Sequence, residues 1–542
     1  MHPGKQAVLF VEGRGTGLAA LMTGRFVCAG CLALFSFVLV GLTAAFAALD
    51  RMEDETHTIT DAEARDRTPP TTIETTKVDE SKEAPFQESQ AVYKERTGDH
   101  PPHNWADDAI VILKESELHL DKALRLPPWL HLGLHQRTRY EGFNEPFQKG
   151  QTSGEHIVAL QTLPSIGVRY DPFRFFVEGI DARVFGSSDR SVRTNTTVDE
   201  MDFLQLYGGL GTSNFLGLGV AAELTVGRQT FDFGSRRQIA RNQFRNTINA
   251  FDGVHGSLGD EKTWQFRTFV VRPVQRLTVK PDADAQTLFW GFFLGERQFK
   301  WFQSDLYVYV IEDEDRPGAV PGLKRSLRVP GFRVFKDPAM GEFDYEGETI
   351  WQVGQSALDP GGAALPTFAY FEHIQAGYTF NLPWSPNLIL KYSYASGNRD
   401  PNGNEIGRFN PLFGVTTFEL DPAGIFQVFT RSNISSPGWK LIVQPSDSVR
   451  VSFQHRMFWL AQSRDQWVNT GLQDPTGRAG NFLGHFLEWR GRWFVSSNMT
   501  LESGWCYLVK GSFTSNLLAA GAPGTPNDKN ASYVYVQLAL DF

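Results

Sequence analysis

The sequence predicts an all-β fold: a closed antiparallel transmembrane β-barrel of about 18 strands with a disordered N-terminal segment. Three observations predict it. Short segments alternate apolar and polar side chains with a period of two, the chain opens on an export-like leader, and it ends in a strand that finishes on Phe542. Closure of the sheet is the only way strands can satisfy their backbone groups in lipid. A mean hydropathy of −0.28 excludes a polytopic helical membrane protein. A barrel hides one apolar face around a polar lumen, so its average looks soluble. The 13% aromatic content and 51 glycines fit girdles and turns, but they fit a secreted β-rich enzyme equally well.

Residues 1–47 read as a signal peptide. Lys5, Arg14 and Arg25 supply the basic region, Phe26 to Phe46 the apolar stretch, and Ala45-Phe46-Ala47 a small-x-small cleavage site. A single transmembrane anchor would need a similar apolar run. Cleavage is favoured because the remainder reads as exported cargo. Residues 48–103 carry 14 acids against 7 bases and are rich in Thr and Pro. Such a stretch cannot bury enough apolar surface to offset its ordering entropy, so it reads as a disordered acidic linker. Cys28 and Cys31 fall in the leader, which leaves Cys506 alone and no internal disulfide framework.

Residues 104–542 form the barrel domain, with short strands separated by Gly, Pro, Asn and Asp. In 129–141, Leu130, Leu132 and Leu134 oppose His131, His135, Arg137 and Arg139. In 449–456, Val449, Val451 and Phe453 oppose Arg450, Ser452, Gln454 and Arg456. In 487–493, Leu487, Trp489 and Trp493 oppose Glu488, Arg490 and Arg492. In the last strand Val534, Val536, Leu538, Leu540 and Phe542 share a face. Period-two alternation places such sets on opposite faces of a sheet.

The same parity assigns inward charges. Arg137, Arg139, Arg169, Arg267, Lys391, Lys440, Arg450, Arg456, Arg490 and Arg492 sit opposite apolar sets. So do the acids Glu141, Asp305, Glu346, Glu348, Glu488, Glu502 and Asp541. Guanidinium forks pair bidentately with carboxylates, and rings of Arg or Lys select anions in pores. The plainer reading is a lumen of solvated Arg–Glu pairs. Arg228 breaks the pattern: its parity puts it with Leu224 and Val226, so it must end a strand or follow a bulge.

Several blocks carry a resemblance. They are Gly227-Arg228-Gln229 through Gly234, then Arg241 to Thr247 including Arg245 and Asn246, then Phe251-Asp252-Gly253-Val254. Further on come Phe343-Asp344-Tyr345 with Trp351 to Gly354, Tyr394-Ala395-Ser396-Gly397-Asn398, Phe409 to Phe413, and Phe458 to Ala461 with Arg464-Asp465. Together, over about 130–542, they resemble the alginate-export porin family of Gram-negative outer membranes. Phe244 stands where that pattern has Trp. The resemblance implies a monomeric, wide barrel in the outer membrane whose arginine-lined lumen passes a polyanionic sugar chain. Residue by residue, the Gly227–Gly234 block reads as a structural turn. Asn246, Asp252 and Gly253 read as turn-formers rather than ligand contacts.

No G-x-S-x-G, H-E-x-x-H or Walker motif is present, and no catalytic residue, cofactor or metal is assigned. Glu312 to Asp315 lacks the spaced oxygens of a calcium loop and reads as a solvated turn. His131 and His135 read as pore lining. The expected function is passive export of an alginate-like anionic exopolysaccharide. An uptake porin for anions or sugars is the alternative, and a secreted polysaccharide-acting enzyme or a plugged adhesin barrel are readings from other classes. The expected partners are outer-membrane lipids, the polysaccharide, and periplasmic and inner-membrane synthesis proteins, with no nucleic acid.

Overall fold

A computed structural model describes residues 120–542, apart from 188–191, 277–282, 285, 300, 314–323 and 418. The expected signal peptide and acidic linker lie outside the described residues. A short helix, α1 (Leu120–Ala123), leads into the wall. The first strands are β1 (Leu130–Phe143), β2 (Glu155–Tyr170), β3 (Phe173–Phe185), β4 (Asp199–Thr212), β5 (Ala222–Gln229) and β6 (Phe251–Asp260). Next come β7 (Trp264–Gln275), β8 (Thr287–Glu296), β9 (Gln303–Asp313), β10 (Ser326–Lys336), β11 (Phe343–Ser356) and β12 (Leu365–Thr379). The last six are β13 (Asn387–Ala395), β14 (Ile434–Ser446), β15 (Val449–Trp459), β16 (Phe482–Ser496), β17 (Met499–Lys510) and β18 (Ala531–Asp541). A helix, α2 (Ser512–Ala519), precedes β18. A two-residue strand, Ala283–Asp284, pairs with the end of β7 outside this count.

Each strand pairs antiparallel with its sequence neighbours, and β18 pairs with β1 from His135↔Asp541 to Phe143↔Tyr533. The 18 strands therefore form a closed antiparallel barrel without an edge. The alternation read from the sequence holds. On β15, Arg450, Ser452, Gln454, Arg456 and Phe458 are buried while their neighbours face out. On β18, Tyr533, Tyr535 and Gln537 point in, and Val534, Val536 and Leu538 are exposed. Such a wall, apolar outside and charged within, is that of an outer-membrane barrel, and the protein resides in the Gram-negative outer membrane.

The two rims differ. Near Leu134, whose backbone exchanges hydrogen bonds with Phe542, the connections are short, as at 171–172 and 447–448. The opposite rim carries the long connections 230–250, 396–433, 460–481 and 511–530. Short turns face the periplasm and long loops the exterior in such barrels. Three long connections turn back into the bore. Phe231, Phe233, Ile239 and Phe244 of 230–250 are buried. So are Phe409, Leu420, Phe426 and Phe429 of 396–433, and Leu460, Trp467 and Leu472 of 460–481. They join inward strand residues such as Phe269, Phe289, Ile350, Phe371 and Phe486 in one apolar cluster. Each buried Phe contributes about 1.5–3 kcal/mol. The hydrophobic core therefore lies inside the cylinder, where the alternation alone suggested only water and paired charge.

Candidate substrate channel

All ten inward bases expected from parity lie on the lumen side of the wall, as do the seven acids. Six of the bases cluster on four neighbouring strands: Lys391 on β13, Lys440 on β14, Arg450 and Arg456 on β15, Arg490 and Arg492 on β16. The inward acids from β13 to β17 are Glu488 and Glu502. Glu502 Oε2 accepts from Arg490 Nη2 at 2.8 Å and from Arg492 Nε at 3.0 Å. Glu488 accepts from Gln454 at 2.7 Å, and Gln454 in turn accepts from Lys391 Nζ at 3.1 Å. This arc is a basic wall. A second arc, β9 to β11, is acidic, with Asp305, Asp344, Glu346 and Glu348 against Arg333.

Other predicted bases hold the inserted segments. Arg137 donates to the carbonyls of Gln243 at 2.5 Å and Arg245 at 2.8 Å. Arg267 donates to the Asp232 carbonyl at 2.9 Å, and its guanidinium lies 3.9 Å from the Phe233 ring centroid. Arg456 reaches the Glu419 carbonyl at 2.7 Å while also donating to Ser393 and Ser436. Arg139 pairs with Glu141 at 2.7 Å and covers the Phe244 ring. Arg169 sits half-buried at the periplasmic end of β2, in register with Arg174. His131 pairs with Asp121 at 2.5 Å and His135 with Asp541 at 2.7 Å. Among the described residues no group of three His, Cys, Asp or Glu side chains could hold a metal.

Sequence parity reached Glu346 and Glu348 but not Arg237, Glu419 or Arg431, which lie outside the strands, and it passed over Arg333 on β10. Arg237, on 230–250, donates to Glu346 at 2.5 Å, to Glu348, and through Nε to Glu419 at 3.0 Å. Glu419, on 396–433, also accepts from Arg431. Arg333 joins the same network through Glu346 at 2.9 Å and Asp305 at 3.2 Å. Burial opposes the charge on Arg237, but Glu346, Glu419 and Glu348 outweigh it and push its pKa well up. Burial likewise opposes ionisation of Glu419, yet Arg237 and Arg431 hold its carboxyl well below the usual range. Arg245 is the contrary case: burial, with Arg276 nearby, lowers it to about 10. Arg408 pairs with Asp465, tying 396–433 to 460–481. The only advance signal was the density of arginines from Arg228 to Arg245.

The motif residues turn out to frame the first insertion. Gly227-Arg228-Gln229 on β5 is in register with Gly253, Asp252 and Phe251 on β6. The Gly227–Gly234 block is only in part the turn expected from the sequence, since Gly227 to Gln229 end β5 while Gly234 stands in a turn; Asp252 and Gly253 are strand residues at the mouth of 230–250. Gly227 and Gly253 adopt φ of 131° and 156°. A Cβ on either would lie 2.3 Å from a carbonyl oxygen of the next strand, Leu206 or Val270. Only Gly permits that approach. Asn246 is an anchor rather than a turn-former, its Nδ2 facing the carbonyls of Thr197 at 2.8 Å, Leu160 at 3.1 Å and Arg183 at 3.2 Å. Gln229 accepts from Thr225 at 2.7 Å. Gly234 packs beside Phe293 and Asp305, Ser396 accepts from the Tyr370 N–H at 2.9 Å, and Gly397 lies against Asn433. Arg228 is the last residue but one of its strand, on the outer face, where Asp252 receives it bidentately at 2.8 and 2.9 Å.

A family model described as alginate export matches residues 128–520. No curated protein sequence matches the chain. Solved structures with a similar course include Acinetobacter baumannii OccAB3 at 13% identity and a TM-score of 0.49, covering 76% of this chain and 99% of that one. Pseudomonas aeruginosa OccD3 (OpdP) gives 11% identity and 0.49 over 76% and 91%. The outer membrane protein OpdK of the same organism gives 9% and 0.49 over 76% and 98%.

Proposed function

The chain belongs to the alginate export family, and from that premise we propose that it passes an anionic, alginate-like exopolysaccharide outward through its arginine-lined bore. The observation that carries this reading is the basic wall of β13 to β16, where six cations stand with one acid, Glu488, and with Glu502 of β17 beside them. Neighbouring strands lie about 4.8 Å apart, so cations on successive strands step across the bore at roughly the length of a sugar ring. Guanidinium N–H forks match uronate carboxylates, and the shared Glu502 keeps Arg490 and Arg492 from gripping any one carboxylate too tightly. Transit is passive and monomeric, so periplasmic and inner-membrane synthesis proteins must deliver the polymer.

Planar-bilayer recording tests the proposal. In asymmetric KCl the wild-type channel should favour chloride, and oligouronate added from the periplasmic side should block it. Arg490→Glu with Arg492→Glu should shift the reversal potential toward cations and weaken the block. Cation preference in the wild type, or an unchanged reversal potential in the variant, would refute the role of this wall. If small uronates permeate freely but oligomers never enter, the uptake reading replaces export.

A further inference from the structure

We infer that the periplasmic corner of the bore between β9 and β13 holds a hard divalent cation, calcium, on oxygens of Asp337, Asp344 and Asn387. The starting point is Asp344 of the Phe343-Asp344-Tyr345 motif, a carboxylate that the channel's ion pairs leave aside. It is the second residue of β11 and points into the bore, 3% exposed. Asp337 directly follows Lys336, the last residue of β10, whose cross-strand partner is Tyr345. The two carboxylates therefore stand at adjacent positions on neighbouring strand ends, and Asp337 is near enough to act on the Asp344 charge. Like charges so placed repel. No described base forms an ion pair with either one. Lys336 donates instead to Glu342 at 2.6 Å and to the Phe343 carbonyl at 2.9 Å. Arg333 is engaged by Asp305 and Glu346.

Amides hold the two carboxylates in place. Asn387, the first residue of β13, donates through Nδ2 to Asp344 Oδ2 at 3.1 Å and to Thr379 Oγ1 at 2.8 Å. Gln303, the first residue of β9, donates to Asp337 Oδ2 at 2.6 Å. Gly377 lies opposite Asp344 on β12, and a Cβ there would run into the Asp344 carboxylate. Asn387 is fully buried, yet its Oδ1 has no partner among the described residues, and neither has the buried Asp337 Oδ1. Both atoms are acceptors, and a buried acceptor left unmet costs about 1–3 kcal/mol. A proton on one carboxyl would satisfy one of these oxygens; a cation satisfies them together. Carboxylate and amide oxygens, without His or Cys, suit calcium, which fills the rest of its shell with water. Two carboxylates make a weak site, with a dissociation constant on the order of 0.1–1 mM. The ion ties the β10–β11 turn to β13 and neutralises the acids at the bore's inner mouth, whatever the bore carries.

The test uses the full-length chain folded in detergent, stripped with EDTA and dialysed to equilibrium against radioactive calcium. Saturable binding by the wild type is expected. Asp337→Asn with Asp344→Asn should lose one equivalent of calcium, whereas Asp400→Asn, in the extracellular connection 396–433, should keep it. Heat-modifiable migration checks that each variant forms its barrel. The wild type gives a second reading that needs no variant: calcium should raise its thermal midpoint, and magnesium at the same concentration should raise it less. The double variant should not respond to calcium. Absence of saturable binding by the wild type, or an undiminished stoichiometry in the folded double variant, overturns the assignment. So does a wild-type midpoint that calcium leaves untouched but that rises as pH falls in EDTA, which would mean that the two carboxyls share a proton.

Discussion

At Arg237, one guanidinium meets three carboxylates from two different structural sources: Glu346 and Glu348 of the wall, and Glu419 of an inserted segment. Removing one member of a buried ionic group costs about 3–5 kcal/mol, because its partners stay buried and unpaired. Arg237→Ala should therefore release 230–250 and 396–433 from one another while the wall still closes. Single-channel conductance should rise and become noisier; an unaltered current trace would show that apolar packing alone seats the segments. The acid response follows from Glu419. Its folded-state pKa is depressed, so its contribution is complete above the ordinary carboxylate range. That contribution is lost only as pH falls through a value well below it. Conductance should stay flat from pH 8 to pH 5 and increase only in stronger acid. An increase between pH 7 and 6 would place the switch on other groups. At this scale the sequence was legible where parity applied. Arg490, Arg492 and Lys440 were found because each opposes an apolar neighbour, whereas Arg237 and Glu419 have no alternating neighbours to be read against.

The strands and the insertions are stabilised by different means, and this explains why one set was legible. A strand such as β18 announces itself through Val534, Val536 and Leu538, since lipid on one side enforces the period. The segment 230–250 has no period: it is held at scattered points, with Asn246 on the wall carbonyls of Leu160 and Arg183 and on that of Thr197 in the connection before β4, and Arg241 on Glu178 at 2.9 Å. Its apolar residues could equally have signalled a strand or a loop. The paired glycines Gly227 and Gly253 were visible as a motif, but their cross-strand closeness was not, because register is a property of two strands. Asn246→Leu should leave those carbonyls unsatisfied and loosen the segment without disturbing β5 or β6. Trypsin added to the outside of intact cells should then cut at Arg236, Arg237 or Arg241 faster than in the wild type. Equal cleavage rates would mean that Arg137 and Arg241 suffice as anchors.

For the molecule as a whole, the seam between β1 and β18 joins residues about four hundred positions apart, as in the 2.7 Å contact of His135 with Asp541. The sequence implied that seam through its terminal aromatic strand, and it implied a cylinder of this size. It did not imply that inserted segments narrow the cylinder, because that needs long connections to fold inward and their length alone does not say which way they turn. These insertions have a consequence for how such a protein tolerates change. Its wall is laced by main-chain hydrogen bonds, which any residue but proline can supply, so outside such positions as Gly227, Gly253, Glu346 and Glu348 substitutions there should pass freely while the in–out rhythm survives. Its inserted segments are held by particular side chains, each fitted to another, so they should drift only by matched exchanges. Two regions of one chain thus live under different rules of inheritance: the container by pattern, the contents by identity.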